Sequence, residues 1–295
     1  MMDSFLLLAT GLGLLLSFTG CDTTDNGLLY GCIDNMALNY NPEANENDGS
    51  CEYEVIEVVP GCTDSGALNF DAEANEDDGS CAYNGCQDGI ESVLWDGHGY
   101  GVVQISGQCW FSENLRSTHY SNGDELFNLQ ESDVWSDNES GGYSILHDQD
   151  LNFENFGYLY NGQAVMDQRG ICPSGWHVPT DADWGELEIH LGMPESELFD
   201  TGNRGGDANV GGHLRGFGYW LNDINTTDSV GFSALPSGYR DPTGGFIEPN
   251  YLGLWWTSEL QDGMFIVRRN HVGDSGVGRL LVDPNNGYAL RCVQD

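Results

Sequence analysis

The side chains able to do chemistry in this sequence are nine cysteines, seven histidines and 47 carboxylates, set against nine arginines and no lysine. The cysteines fall at 21, 32, 51, 62, 81, 86, 109, 172 and 292. None forms a Cys-x-x-Cys pair or stands with a histidine at zinc spacing, so no structural zinc site is expected. The histidines lack His-x-x-x-His or glutamate-partner spacing, and His177, beside Trp176 and Pro179, reads as a packing residue. There is no Gly-x-Ser-x-Gly elbow and no Walker loop. Gly97-His98-Gly99-Tyr100-Gly101 opens no helix and reads as a turn. So many carboxylates guarantee chance pairs, so a two-carboxylate glycosidase site cannot be argued from sequence. The expectation is a protein that is not an enzyme. A formal charge of −38 excludes a nucleic-acid binder that neutralises phosphates and disfavours docking on anionic lipid.

The elements that position these residues begin with a compartment signal. Phe5 to Leu16 is an almost unbroken apolar run, too short for a transmembrane helix and right for the core of a signal peptide over residues 1–20. Leu16-Ser17-Phe18-Thr19-Gly20-Cys21 resembles a bacterial lipobox. That resemblance implies lipidation at Cys21, a tether over 21–30 and anchoring at the outer membrane, facing the cell surface. An ordinary secretory cut near Gly20 would instead release the chain with Cys21 as a free thiol. Without Cys21, eight cysteines remain, an even number suited to disulfides in an oxidising compartment.

An internal repeat follows. Residues 31–53 reappear at 61–83, with 15 of 23 positions identical, around Gly-Cys-x-Asp-x-x-Ala-Leu-Asn and Glu-Ala-Asn-Glu-x-Asp-Gly-Ser-Cys. A unit this small cannot bury a core, so its two cysteines are the natural staple: Cys32 with Cys51, and Cys62 with Cys81. The repeat resembles short Cys-bounded modules of bacterial surface proteins and, loosely, the calcium loops of thrombospondin type 3 repeats. Asn45 and Asp48, with Asn75, Asp77 and Asp78, place oxygen donors beside a turn glycine, so Ca2+ is a candidate cofactor. An acidic turn closed by Asx hydrogen bonds is the alternative. Asp22 to Cys86 holds 15 acids and no base, the composition of a solvated spacer. Val55 to Pro60 reads as a linker or a short edge strand.

Residues 87–295 form a larger domain holding all nine arginines and all eight tryptophans. Short strands are expected near Ser92–Leu94, Gly101–Ser106 and Cys109–Phe111. Further strands follow at Phe232–Leu235, Leu254–Ser258, Met264–Val267 and Tyr288–Val293. One clear helix starts at the N-cap Thr180, with Asp181 and Asp183 in its first turn, apolar spacing through Trp184, Leu187 and Leu191, and Gly192 at its end. Few helices and many loops point to an α+β domain.

Six segments here are similar to motifs of the Fibrobacter succinogenes major paralogous domain family. They are residues 107–116 (GQCWFSENLR), 157–161 (GYLYN), 172–180 (CPSGWHVPT), 231–241 (GFSALPSGYRD), 255–258 (WWTS) and 289–293 (ALRCV). The resemblance implies a C-type-lectin-like domain with short twisted antiparallel strands, one main helix and long loops, carried by a surface lipoprotein. Cys172 precedes the main helix, so pairing it with Cys292 would tie the end of the domain to its middle. Cys86 and Cys109 remain as the other pair, since free buried thiols fit an exported chain poorly.

Glu248-Pro249-Asn250 resembles the calcium loop of mannose-binding C-type lectins, which makes Glu248 and Asn250 further metal candidates. A proline-stiffened loop ahead of Trp255-Trp256 is the alternative. Ligand contacts are expected from Trp220, Asn250, Tyr251 and Trp255, because aromatic faces stack on sugars and dominate interfaces. Strand alternation puts Trp255 and Trp256 on opposite faces, so one of them is expected in the core. The function expected is binding of an extracellular glycan or protein, with a structural envelope protein as the alternative.

Overall fold

The structure, a computed structural model, describes residues 27–54, 58–63, 70–78, 86, 90–146 and 156–295. The expected lipidation site Cys21 lies outside these residues. So does Cys81; its expected partner Cys62 is disulfide-bonded. The chain divides into two compact units, one reaching to Val58 and the other running from Val59 to Asp295.

In the first unit, β1 (Tyr30–Gly31) pairs in parallel with β2 (Glu46–Asn47), and Cys32 is bonded to Cys51 across a Cα separation of 4.8 Å. The second unit opens with the same device, β3 (Pro60–Gly61) in parallel with β4 (Glu76–Asp77). Equivalent residues make equivalent bonds. The Asn45 Oδ1 accepts from the Leu29 amide at 2.8 Å, and the Asn75 Oδ1 from the Val59 amide at 2.9 Å. Asp48 accepts from the Ser50 amide, and Asp34 from the Met36 amide, as Asx turns.

The remainder is built from short strands. The hairpin β5 (Ser92–Trp95) and β6 (His98–Ile105) continues into β7 (Gln108–Phe111). Next come β8 (Phe127–Asn128), α1 (Ser132–Ser136), β9 (Gly142–Ile145), β10 (Tyr158–Asn161) and α2 (Gly162–Val165). They are followed by β11 (Trp176–His177), α3 (Asp181–His190), β12 (Gly202–Arg204) and α4 (Val210–Leu214). The chain closes through β13 (Tyr239–Arg240), β14 (Phe246–Ile247), β15 (Leu252–Gln261), β16 (Met264–His271), β17 (Val277–Val282), β18 (Gly287–Tyr288) and β19 (Val293–Gln294).

Three larger sheets result among the described residues, in the orders β14-β13-β18-β10-β9-β8, β11-β19-β7-β6-β5 and β12-β17-β16-β15. Strand accounts for 34% of the described residues and helix for 12%, and the sheets curl into half-barrels. This corrects the expected α+β class and the lectin-like fold around one main helix: the domain is mostly β. The reason is local. Glycine-punctuated segments too short to bury a face alone find partners in ladders, while α3 is one of several short helices packed on the sheets. Gly97 to Gly101 is a second correction. The turn is Asp96-Gly97, and β6 begins at His98, paired with Trp95. Phe232 to Leu235 forms only an isolated bridge, at Ala234.

Two aromatic clusters fill the core. Trp110, Trp184, Phe232 and Trp255 meet edge-on or tilted at ring separations from 5.1 to 6.3 Å. Trp256 packs on Phe265 and Tyr288, and Phe111 on Tyr100 and Trp176. Both tandem tryptophans are therefore buried, because both faces of β15 are covered.

Charge pins α3 to the sheet. Glu188 accepts from Arg204 of β12 at 2.9 and 3.0 Å and from Arg268 of β16 at 2.6 Å. Asp181 accepts from Arg268 at 2.7 Å and from Arg279 of β17 at 2.9 to 3.1 Å. Burial alone would raise the Asp181 pKa, but Arg279 and Arg268 hold it below the ordinary carboxylate range. At its start, α3 has the capping box of Thr180 and Asp183. His177 does more than pack there: Nε2 meets Asp183 at 3.2 Å and Nδ1 meets Asp295 at 2.7 Å.

The expected disulfides Cys86–Cys109 and Cys172–Cys292 are formed, with Cα separations of 5.5 and 5.9 Å. They close sequence separations of 23 and 120 residues. In the chain-entropy model the longer loop is worth about 4.7 kcal/mol and the shorter about 3 kcal/mol. Cys292→Ser should therefore lower the thermal midpoint more than Cys86→Ser and leave residues 287–294 open to hydrogen exchange. Equal losses, or continued protection of that segment, would overturn the assignment.

The His177 clamp predicts a pH effect. Asp183, against some desolvation and with help from Asp295, raises the His177 pKa above its ordinary value of about 6.5. Its contribution is complete below pH ~6.5 and disappears as pH rises through the raised folded value. The side chain is 38% exposed, so solvent screening leaves about 0.5 kcal/mol, or ~1–2 °C. Between pH ~6 and ~8 the wild type should lose this increment, while His177→Gln should lack that step; the same pH profile for both would exclude the clamp.

Candidate functional site

Of the four expected ligand-contact residues, the structure leaves two at the surface. Trp220 is 7% exposed; its Nε1 donates to the Ala234 carbonyl at 2.9 Å and its ring lies against the Arg215 guanidinium. Trp255 is 2% exposed and donates to the Asn114 Oδ1 at 2.9 Å. Both are core residues here, because each indole N–H found a buried acceptor and each ring a buried neighbour. This corrects the expectation that they contact a ligand.

Asn250 and Tyr251 do reach solvent. Glu248 and Asn250 both have left-handed backbone, with φ of 49° and 68°, and fold Glu248-Pro249-Asn250 into a sharp turn. The turn is held on both sides: the Asn250 amide donates to Pro236 and its carbonyl accepts from the Leu221 amide, each at 2.9 Å. The Tyr251 carbonyl accepts from the Val272 amide at 3.0 Å. The bond at Leu221 joins this turn to a second loop, 217–224. That loop is fixed beneath by buried Trp220 and by Arg215, whose Nε donates to Asp223 at 2.5 Å. Phe217, Tyr219, Leu221 and Ile224 are exposed on it, Ile224 by 92%, beside Tyr251 at 41%. These exposed side chains lie on two loops joined by the Leu221–Asn250 bond, with the Tyr219 ring edge-on to Phe156 at 5.8 Å.

The calcium candidates are arranged otherwise. Asn45 and Asn75 spend their side-chain carbonyls on the backbone of their own repeats, and Asp48 closes a turn. Asp77 and Asp78 lie in and just after β4. Among the described residues no group of three or more His, Cys, Asp or Glu is placed to hold a metal ion. No helix among them is long and apolar enough to cross a membrane.

One arrangement was not anticipated from sequence. Asp96, at φ 46° in the two-residue turn with Gly97 at φ 77°, points its carboxylate at residues 117–119. It accepts from the Thr118 amide at 2.6 Å, the Thr118 Oγ1 at 3.0 Å and the Ser117 Oγ at 3.1 Å. Its other oxygen lies 2.9 Å from the His119 Nδ1. Burial pushes the Asp96 pKa up, but the Thr118 and Ser117 donors and His119 together hold it below the ordinary range. The Asp-Gly pair between alternating strands is a hairpin signature that was available in the sequence; the partner 23 residues away was not. Nearby, β8 runs in parallel beside β9, an approach that needs glycine at 142, where a Cβ would lie 2.6 Å from the Phe127 carbonyl oxygen.

The residues that carried the family resemblance are largely those that build this interior, including Trp110, Phe111, Tyr160, Trp176, Phe232, Trp255 and Arg291. No curated protein and no solved structure matches the chain. The family model described as Fibrobacter succinogenes major domain matches residues 103–294, well over half of the sequence, and the chain belongs to that family.

Proposed function

We propose that the protein is a non-enzymatic lipoprotein, held at the bacterial cell surface through Cys21, that binds an extracellular partner with the face formed by loops 217–224 and 248–251. The observation that carries this reading is the pairing of rigid backbone with exposed apolar tips. Exposing Phe217, Tyr219, Leu221, Ile224 and Tyr251 on anchored loops is unfavourable in water unless something covers them. Loops already fixed by Trp220, Asp223 and Asn250 lose little entropy on binding. Leu221 and Ile224 offer no ring face for a sugar, so a protein surface is the favoured partner over a glycan. The acidic stretch before residue 87 would act as the spacer between anchor and binding face.

Two experiments test the reading. Cys21→Ser should move the protein from the membrane fraction to the soluble one; unchanged retention would overturn the lipid anchor. A photo-crosslinking amino acid at Tyr251 in intact cells should give one discrete protein adduct, absent from a control at Glu139 and lost with Ile224→Ser. Saturable binding of the full chain on a glycan array, abolished by Ile224→Ser, would replace the protein partner by a glycan. Neither signal would leave a structural envelope protein and overturn the binding function.

A further inference from the structure

Away from loops 217–224 and 248–251, the five-stranded sheet ends at β5, whose far side carries no partner strand among the described residues. We propose that this edge is a self-association surface, on which two copies of the chain pair β5 antiparallel to β5 across a two-fold axis.

The hairpin geometry fixes which backbone groups are open. Asp96 and Gly97 both have positive φ, the two-residue turn that closes Trp95 on His98 as a hydrogen-bonded pair. Bonded pairs alternate along an antiparallel ladder, so Val93 is bonded to Tyr100, and the Val102 amide donates to the Glu91 carbonyl at 3.0 Å. The N–H and C=O groups of Ser92 and Leu94 therefore point away from β6. Side chains alternate as well: Val93 and Trp95 pack on the core, while Ser92 and Leu94 face solvent. Leu94 is 78% exposed, and its neighbour on β6 is Gly99, which has no side chain to cover it. The space there is open, for a Cβ on Gly99 would meet nothing within 4 Å. Cross-strand cover for Leu94 can come only from the open side.

A second β5 supplies that cover. With the axis through Val93, Ser92 pairs with Leu94 of the second copy and Leu94 with its Ser92, so each outward donor meets an outward acceptor. The two leucines then lie diagonally across the seam, within contact range. The strand, Ser-Val-Leu-Trp, holds none of the charges, prolines or bulges that keep edges apart. Its flanking acids do not collide, because Glu91 falls opposite Trp95 and Asp96 opposite Ile90. Asp96 is also turned to its own donors at Ser117 and Thr118. The outer side of β15, by contrast, is already taken by Ala289 and by the Pro179 carbonyl. The net charge of −38 repels a second copy at long range, but at about 0.15 M salt that field decays over about 8 Å, and the uncharged seam decides close contact.

The test is sedimentation of the full chain carrying Cys21→Ser, so that no lipid drives association, with amide hydrogen exchange read residue by residue. A monomer–dimer equilibrium is expected, tightening as salt rises from about 0.05 to about 0.5 M because screening removes the repulsion. The Ser92 and Leu94 amides should gain protection as the dimer fills, whereas Val93 and Trp95 stay protected at every concentration. Leu94→Ala should weaken the dimer about tenfold. Leu94→Pro should abolish it while leaving the β5–β6 ladder intact, since the N–H it removes points outward, and protection at Val93 and Trp95 checks that the hairpin survives. Leu94→Asp keeps that N–H but sets two carboxylates across the seam, and should abolish the dimer as well. A monomer at every concentration, a dimer that persists in both of these variants, or a dimer that leaves Ser92 and Leu94 unprotected would overturn the edge pairing. The crosslinking result at Tyr251 is independent of all these outcomes.

Discussion

Residues 287–294 are the backbone on which the large unit closes. Within eight residues the segment supplies β18 to the six-stranded sheet and β19 to the five-stranded one. Between them, Ala289 bonds both ways with β15 of the four-stranded sheet: its amide donates to Leu254 at 3.0 Å and its carbonyl accepts from Trp256 at 3.1 Å. The Phe111 amide donates to Cys292 and the Leu115 amide to Leu290. Arg291 extends the same stitch through its side chain, donating to Asn114 Oδ1 and to the carbonyls of Phe111, Phe232 and Ser233. Burial pulls the Arg291 pKa down to about 9, which still leaves it protonated at neutral pH. Three sheets that share one strand segment cannot be completed separately. Most of these pairings span more than 100 residues, the kind of contact whose loop-closure entropy slows folding.

The second constraint is where the positive charge goes. Six of the nine arginines are buried: Arg204, Arg215, Arg240, Arg268, Arg279 and Arg291. Three of them clamp Asp181 and Glu188, and Arg240 is satisfied by the carbonyls of Leu129, Gln130 and Gly244 between the rings of Trp135 and Phe246. Taking such groups out of water costs several kcal/mol each, and the cost is recovered only when every donor is used with good geometry. The planar guanidinium, with five donors in a fixed fork, can do this, and an ammonium cannot. A chain with no lysine and mostly buried arginines therefore has a surface of nearly one sign. The interior spends its cations on architecture and leaves the carboxylates to face solvent.

That division explains what was legible in the sequence. The N-cap of α3 at Thr180, the Asp-Gly turns and the even cysteine count are local signals, and each forms as a local rule predicts. The layer architecture was not local. On α3 the apolar positions Trp184 and Leu187 share the inward side with Asp181 and Glu188, so a hydrophobicity pattern cannot show how deeply the helix is buried. The α+β reading followed from one strong helix signal beside many weak strand signals, whereas two-residue strands become a sheet only through partners far along the chain. Trp220 and Trp255 looked like ligand anchors for the same reason. Nothing within a few residues announces that Ala234 and Asn114 stand ready to accept their indole N–H groups.

The family motifs are spent on the interior. Trp110, Phe111, Asn114, Tyr160, Trp176, Arg240, Trp255 and Arg291 all come from the recognisable segments, and all are buried and committed to packing or to hydrogen bonds within the domain. A pattern made of such residues transmits a fold, because changing any one of them opens a cavity or strands a buried polar group. The exposed apolar tips at 217–224 sit between motifs, on a segment the motifs only brace. Loops braced in this way can vary freely in sequence while holding their shape, so one interior can present different surfaces to different partners.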